Sequence, residues 1–354
     1  MPIKVIYPNS AKNSYTNDDS VDWTLTFAGE ELVANTIVIT GYLDVKEGNP
    51  AVPVTGDIKY SPMVGVHSFF DSWTTQLDNF GYIENIQSYP RMCKVELNAT
   101  QDNLQSQAES DKTLELRCGD EKQTTEILKG LAGNKKIPFA CRPHMCLNAM
   151  RGNLGFKKSG AVMVNFRLAS LPDIFYGADA DKASFEITDL QMMYSTVTGD
   201  GDAVVMEIKN VVRNNVLSSN HSLSTKVPIA DCQTITGSFI LSKNLSNFVT
   251  DNTAMEFPSL SHLEFQLNDN NGYLSYSLDD MEEILINYFR ATGDSAKNDV
   301  RLSNLNEHFG IGLRLPYGYD FRQRKFGMNV HTGADNTVAG RYTSFLTFTG
   351  IIKV

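Results

Sequence analysis

Apolar residues return at every second position of this chain, in one short run after another. Alternation of that kind turns one face of a strand toward a core and the other toward solvent. Val21-Asp22-Trp23-Thr24-Leu25-Thr26-Phe27 alternates without a break, and Ile37, Ile39, Gly41, Leu43 and Val45 share the next face. Val95, Leu97 and Ala99 repeat the pattern, as do Leu114 with Leu116, and Val162, Val164, Phe166 and Leu168. Phe185 and Ile187 open a long strand that runs to about Val197. The later half carries Met206 and Ile208, Ile235 through Leu241, then Leu263, Phe265 and Leu267. It closes on Leu346, Phe348, Gly350, Ile352 and Val354. β-Branched and aromatic residues fill these runs, as half-buried pleated surfaces favour. Short strands parted by turn-rich loops predict an all-β chain with a few short helices, built as sandwiches or jelly rolls rather than βαβ units.

Helical spacing is rare. Leu278, Met281, Ile284, Leu285, Tyr288 and Phe289 form one stripe over 277–290. Ser277 with Asp280 reads as its capping box, and Asp279, Asp280, Glu282 and Glu283 suit the positive end of the helix dipole. A shorter helix is expected over Thr124–Leu131. The stretch Val66, Phe69, Phe70, Trp73, Leu77 fits helix and strand equally.

A chain of 354 residues suggests about two domains. Residues 1–20 are polar and turn-rich over much of their length and read as an N-terminal arm. Thr198-Gly-Asp-Gly-Asp202 is a small polar linker. It divides a first β-domain, 21–198, from a second, 203–354. The halves share a weak order of motifs: Asn35-Thr-Ile-Val-Ile-Thr-Gly41 against Cys232-Gln-Thr-Ile-Thr-Gly237, and Ser61-Pro-Met-Val-Gly-Val-His-Ser-Phe-Phe70 against Phe257-Pro-Ser-Leu-Ser-His-Leu-Glu-Phe265. That order suggests a duplicated β-domain.

There are 31 Lys+Arg against 41 Asp+Glu, a formal net charge of −10. This argues against a dedicated nucleic-acid binder, which needs a positive face. No run approaches 18 apolar residues, and no signal-peptide core follows Met1. The five cysteines (93, 118, 141, 146 and 232) are odd in number and irregular in spacing, so reduced thiols and a cytosolic folding compartment are expected.

Few motifs ask for chemistry. Cys141-Arg-Pro-His-Met-Cys146 brings together two thiols and His144, but a zinc site needs a second pair. The four acidic residues at 279–283 are accounted for by the helix start. Phe309-Gly-Ile-Gly312 lacks the third glycine and the βαβ setting of a dinucleotide fingerprint, and reads as a bend between strands. Arg322, Arg324 and Lys325, flanked by Phe321 and Phe326, form a compact basic cluster suited to nucleic acid or an anionic membrane surface. None of the six histidines sits in a nucleophile-elbow pattern. No catalytic, cofactor or metal residue is assigned, and the chain is read as a non-enzyme.

Three segments carry a resemblance. Leu171-Pro-Asp-Ile-Phe-Tyr-Gly-Ala, with the long strand that runs on to Tyr194, is similar to the end of the first jelly roll in tectivirus coat proteins. Gly65-Val-His-Ser-Phe-Phe70 resembles a segment after an early strand there, and Arg314-Leu-Pro-Tyr-Gly-Tyr319 a stretch near the C-terminus. In layout the chain resembles the double jelly-roll major capsid proteins of the tectivirus–adenovirus lineage.

The resemblance implies two tandem jelly rolls per subunit and a homotrimer of pseudo-hexagonal outline. Such capsomers tile an icosahedral virion shell against neighbouring capsomers and a minor vertex protein, after assembly in the host cytoplasm. It implies no cofactor and no small-molecule substrate. The arm lacks the longer helix by which tectivirus-type coats reach a membrane. Lys4 or the cluster of Arg322, Arg324 and Lys325 is the expected inner-surface contact to membrane or genome. Loops 46–62 and 213–231 are the expected outer towers, and the last strand is expected to pair within the second sheet. The alternative is a two-domain β-sandwich that binds carbohydrate or a receptor, a spike or lectin, with exposed Trp or Tyr lining its cleft.

Overall fold

The computed structural model describes residues 2–10, 12–100, 114–118, 120–130, 136–148, 153–158, 160–199, 201, 203–214, 220–242, 247–254, 258, 260–269, 272–292, 310–322, 324–332 and 341–353. Its strands begin with β1 (Ile3–Ile6), β2 (Ser14–Tyr15), β3 (Ser20–Leu25), β4 (Glu30–Leu32), β5 (Val38–Glu47) and β6 (Val52–Pro53). They continue with β7 (Phe70–Leu77), β8 (Gly81–Gln87), β9 (Ile137–Cys141), β10 (Leu154–Gly155), β11 (Val162–Leu168) and β12 (Ala183–Thr198). The second half holds β13 (Ala203–Asn214), β14 (Asn220–Lys226), β15 (Ala230–Ser242) and β16 (Leu260–Asp269). It ends with β17 (Gly272–Leu278), β18 (Ile311–Tyr319), β19 (Lys325–Thr332) and β20 (Arg341–Lys353).

These strands make three sheets. The first runs β10-β4-β12-β5-β6, with β1 and β2 also on β12 and β9 on β5. The second runs β18-β15-β20-β13-β8-β7-β11-β3, and the third β14-β19-β16-β17. The second sheet passes through both halves of the chain. Its β8-β7-β11-β3 end faces the first sheet, where Phe69, just before β7, meets Phe185 of β12 at 5.2 Å between ring centroids. Its β18-β15-β20-β13 end faces the third, where Phe348 of β20 meets Phe326 of β19 at 5.2 Å. The halves join where β13 runs parallel to β8, with Asn210 opposite Asn85.

The alternation seen in the sequence is the alternation of burial. In β3 the side chains of Val21, Trp23 and Leu25 are buried and those between them exposed. In β12 the parity switches: Phe185 and Ile187 are buried, then Leu190, Met192 and Tyr194. A bulge between Thr188 and Gln191 in the ladder with β5 absorbs the extra residue, and Asp189 takes the left-handed conformation at φ 52°. Such a bulge lets one long strand keep its apolar face on the core past a bend.

Several expectations are corrected. Residues Tyr89–Thr100, which contain Val95, Leu97 and Ala99, are a helix. Pro90 suits its first turn, and Tyr89, Met92, Cys93 and Leu97 bury one helical stripe. Leu114 and Leu116 belong to no strand. Leu116 sits at φ 57°, and the carbonyl of Glu115 accepts from the N–H of Val66 at 2.7 Å. The 66–77 stretch divides into a 3₁₀ turn, Gly65–Phe69, and β7. The second short helix spans Glu121–Gly130; Leu131 lies outside the described residues. Ser277 belongs to β17 and does not cap the late helix, Met281–Thr292. Asp280 does: its Oδ1 accepts the N–H of Glu283 at 2.8 Å, while Glu283 accepts the N–H of Asp279.

The expected arm is tied down, with β1 and β2 laid along β12. The expected tower loops are not loops throughout. Residues 46–62 bury Val54, Ile58 and Tyr60, and 213–231 contain β14. Gly310 and Gly312 form no bend. They make a flat strip under the helix Met281–Thr292, where added Cβ atoms would lie 2.2 Å from Tyr288 and 2.7 Å from Ala291. Within the linker, Gly199 and Gly201 lie against Glu31: Gly201 N–H donates to Glu31 Oε1 at 2.9 Å, and a Cβ on Gly199 would lie 2.4 Å from Glu31. As expected, the last strand is paired. β20 lies between β13 and β15, and Val354 is outside the described residues.

Candidate functional site

Among the described residues, a network of polar side chains and backbone groups joins the two halves. Residues 247–254 come from the second half and lie on the first. Two Asx turns shape them: Asn247 Oδ1 accepts from the backbone of Val249 and Thr250, and Asp251 Oδ1 from Thr253 N–H and Oγ1–H. Arg91, on the helix Tyr89–Thr100, then donates from Nε to the carbonyl of Asn252 at 2.8 Å and from Nη2 to its Oδ1 at 3.0 Å. Asn252 Nδ2 donates to Asp173 Oδ1 at 2.6 Å, and Lys94 to the carbonyl of Thr253 at 3.2 Å. The Thr253 hydroxyl proton goes to Asp251, so Ser61 Oγ donates across the buried contact at 2.7 Å. Gly177 N–H donates to the carbonyl of Phe248 at 2.9 Å. The Tyr-Gly-Ala turn that carried the resemblance is therefore part of this junction. Sequence reading missed Arg91, Asn252 and Thr253, because Arg91 and Asn252 are 161 positions apart and nothing local marks either.

The basic cluster is the turn between β18 and β19. Arg322 grips Asp320 through Nε at 3.0 Å and Nη2 at 2.5 Å, and this hydrogen bond holds the Asp320 carboxyl below its usual range. The Arg324 guanidinium lies 5.1 Å from the centroid of the Tyr319 ring. Lys325 faces Lys226 across the β14–β19 ladder, a like-charge pair that repels unless an anion lies nearby. The flanking Phe321 and Phe326 are fully buried and so present no ring to a base or lipid. Lys4 is paired with Glu30. Trp23 and Trp73 are also fully buried, which denies the lectin reading its tryptophan platform.

The Cys141–Cys146 segment belongs to a buried polar cluster. His67 is fully buried, with Nδ1 3.1 Å from the Tyr89 hydroxyl, Nε2 3.8 Å from Glu115 Oε1, and its ring 5.3 Å from that of His144. His144 Nδ1 lies 2.7 Å from Glu96 Oε2. Cys141 and Cys146 are buried. Among the described residues, no three His, Cys, Asp or Glu side chains are arranged to hold a metal ion.

Burial pushes the His67 pKa below 6.5, against the raising effect of Glu115. Burial of Glu115 opposes its charge, but His67 and Arg117 outweigh it and pull the carboxyl down to about 2. Both groups bind protons more readily in the unfolded chain. Stability is therefore expected to fall as pH drops below 6.5, and again as pH falls from 4.5 toward 2. Urea midpoints measured at intervals from pH 8 to pH 2 read both windows. His67→Gln should flatten the upper one, and an unchanged slope there would count against the assignment.

No family model matches the chain, and no curated protein does. Solved structures do. A chain from the Sputnik virophage has a TM-score of 0.55 at 11% identity, over 99% of this chain and 87% of that one. The Faustovirus major capsid protein has 0.53 at 6%, over 99% and 89%. The STIV major capsid protein has 0.51 at 7%, over 100% and 97%. The likeness covers nearly the whole length of this chain. This chain is a double jelly roll, with the fold of these viral major capsid proteins.

Proposed function

We propose that this chain is the major capsid protein of an icosahedral virus, and that its work is assembly without a catalytic step. The carrying observation is the junction: one continuous sheet and the 247–254 latch hold two similar rolls side by side as a single tile. Two rolls repeated three times give a trimer with a six-sided outline, and such trimers pack into flat facets. Cyclic contacts close the trimer, while trimer edges stay weaker so that errors anneal. The protein then resides in the virion after assembly in the host cytoplasm. Its neighbours are other capsomers and a minor vertex protein. The turn carrying Arg322, Arg324 and Lys325, with Lys226 beside it, is proposed for the inner surface, against the genome or an internal membrane.

Light scattering of the purified protein, with negative-stain images of the same fraction, tests this. The expected result is a particle of three times 39.3 kDa with a pseudo-hexagonal outline. A monodisperse monomer that never forms tiles would overturn the proposal.

A further inference from the structure

The outward face of the third sheet carries two histidines in direct cross-strand register, His262 on β16 and His331 on β19. Their ring centroids are 4.9 Å apart. Two imidazoles sharing one ion at roughly 2.0–2.1 Å per Zn–N bond, at a near-tetrahedral angle, place their centroids about 5 Å apart. A bulge accompanies the pair. Leu260 faces Thr332 and His262 faces His331, so Ser261 is the extra residue. Bulges re-aim side chains and gather beside sites.

Asp279 supplies an independent feature. Its Oδ1 lies 2.6 Å from His262 Nδ1. An ionised carboxylate only accepts, so Nδ1 carries a proton, and in the neutral ring Nε2 is the nitrogen with the lone pair. Histidines that ligate metals are oriented by carboxylates in this way. The next carboxylate on the same face, Glu264, is engaged by Ser275, Gln266 and Asn329.

We propose that His262 and His331 form a two-nitrogen site for a divalent transition-metal ion, with Asp279 as its outer carboxylate and water completing the shell. Imidazole donors select zinc, copper or nickel over magnesium and calcium. Bound there, the ion pins β16 to β19 and, through Asp279, steadies the start of the helix Met281–Thr292. The site is independent of whether the chain builds a shell.

Zinc chloride titrated into the full chain by calorimetry is the test, with magnesium as the control. The expected result is zinc binding at this site, no magnesium binding, and at least about a tenfold loss of affinity in His262→Gln and His331→Gln. Asp279→Asn should weaken binding by about 10- to 100-fold. Zinc held with full affinity by both histidine variants would place the ion elsewhere and overturn the site. Copper(II) electron paramagnetic resonance on the unaltered chain gives a reading that does not depend on any variant folding. Nitrogen couplings from two imidazoles support the site, and fewer than two overturn it.

Discussion

Phe166→Ala is expected to destabilise the first roll by about 3–5 kcal/mol, the range for deleting a fully buried aromatic ring. Phe166 sits on β11 at the centre of a cluster of four rings, its own included. Its centroid lies 5.2 Å from Trp23, 4.8 Å from Phe70 and 5.2 Å from Trp73, and all four side chains are fully buried. Strands β3 and β7 flank β11 on both sides, so the cavity opens in a region that cannot collapse without breaking two ladders. For a roll of this size the melting temperature should drop by roughly 10 °C. The two tryptophans of the chain are Trp23 and Trp73, so intrinsic tryptophan fluorescence reports this roll alone. Phe166→Leu keeps most of the volume and should cost far less. A loss below about 1 kcal/mol for the alanine variant would mean that the ring cluster is not the core it is taken to be.

The second large effect is expected at the junction. Asn252→Ala removes the Oδ1 acceptor of Arg91 and the Nδ2 donor to Asp173. Arg91 is 5% exposed, so water replaces little of what is lost. Hydrogen bonds to charged partners contribute about 1.5–3 kcal/mol each, and their loss acts on the coupling between the rolls rather than on either core. Calorimetry should show the transitions of the two rolls moving apart, and hydrogen exchange should rise over 247–254. A single transition at an unchanged midpoint would assign the coupling to the β8–β13 contact instead. If the capsid reading holds, the same variant should yield fewer tiles, because a trimer of loosely joined rolls has no fixed six-sided outline.

Most of the sheet was legible because burial in a half-exposed strand has period two, and the chain writes that period in Val, Ile, Leu and Phe. The failures have physical causes. Val95, Leu97 and Ala99 alternate over only three positions, too few to distinguish a strand from the stripe of a helix. Ser277 and Asp280 have the spacing of a capping box; the pairing of Ser277 in β17 with Glu264 in β16 takes Ser277 into the sheet and leaves Asp280 as the cap. Gly310 and Gly312 looked like a bend, since sequence does not show the helix that lies on them. The basic turn was visible as a run of charge, but not the burial of its two phenylalanines or the grip of Asp320 on Arg322.

The sequence by itself determined the all-β class and the core faces of the long strands, both of which follow from local periodicity and composition. Only the tertiary structure decided that one sheet crosses both halves, that 247–254 locks onto Arg91 and Ser61, and that His262 meets His331. Each of these joins residues tens to hundreds of positions apart. Contacts at that range are set by how sheets stack and which strands become neighbours, and short-range patterning carries no record of that.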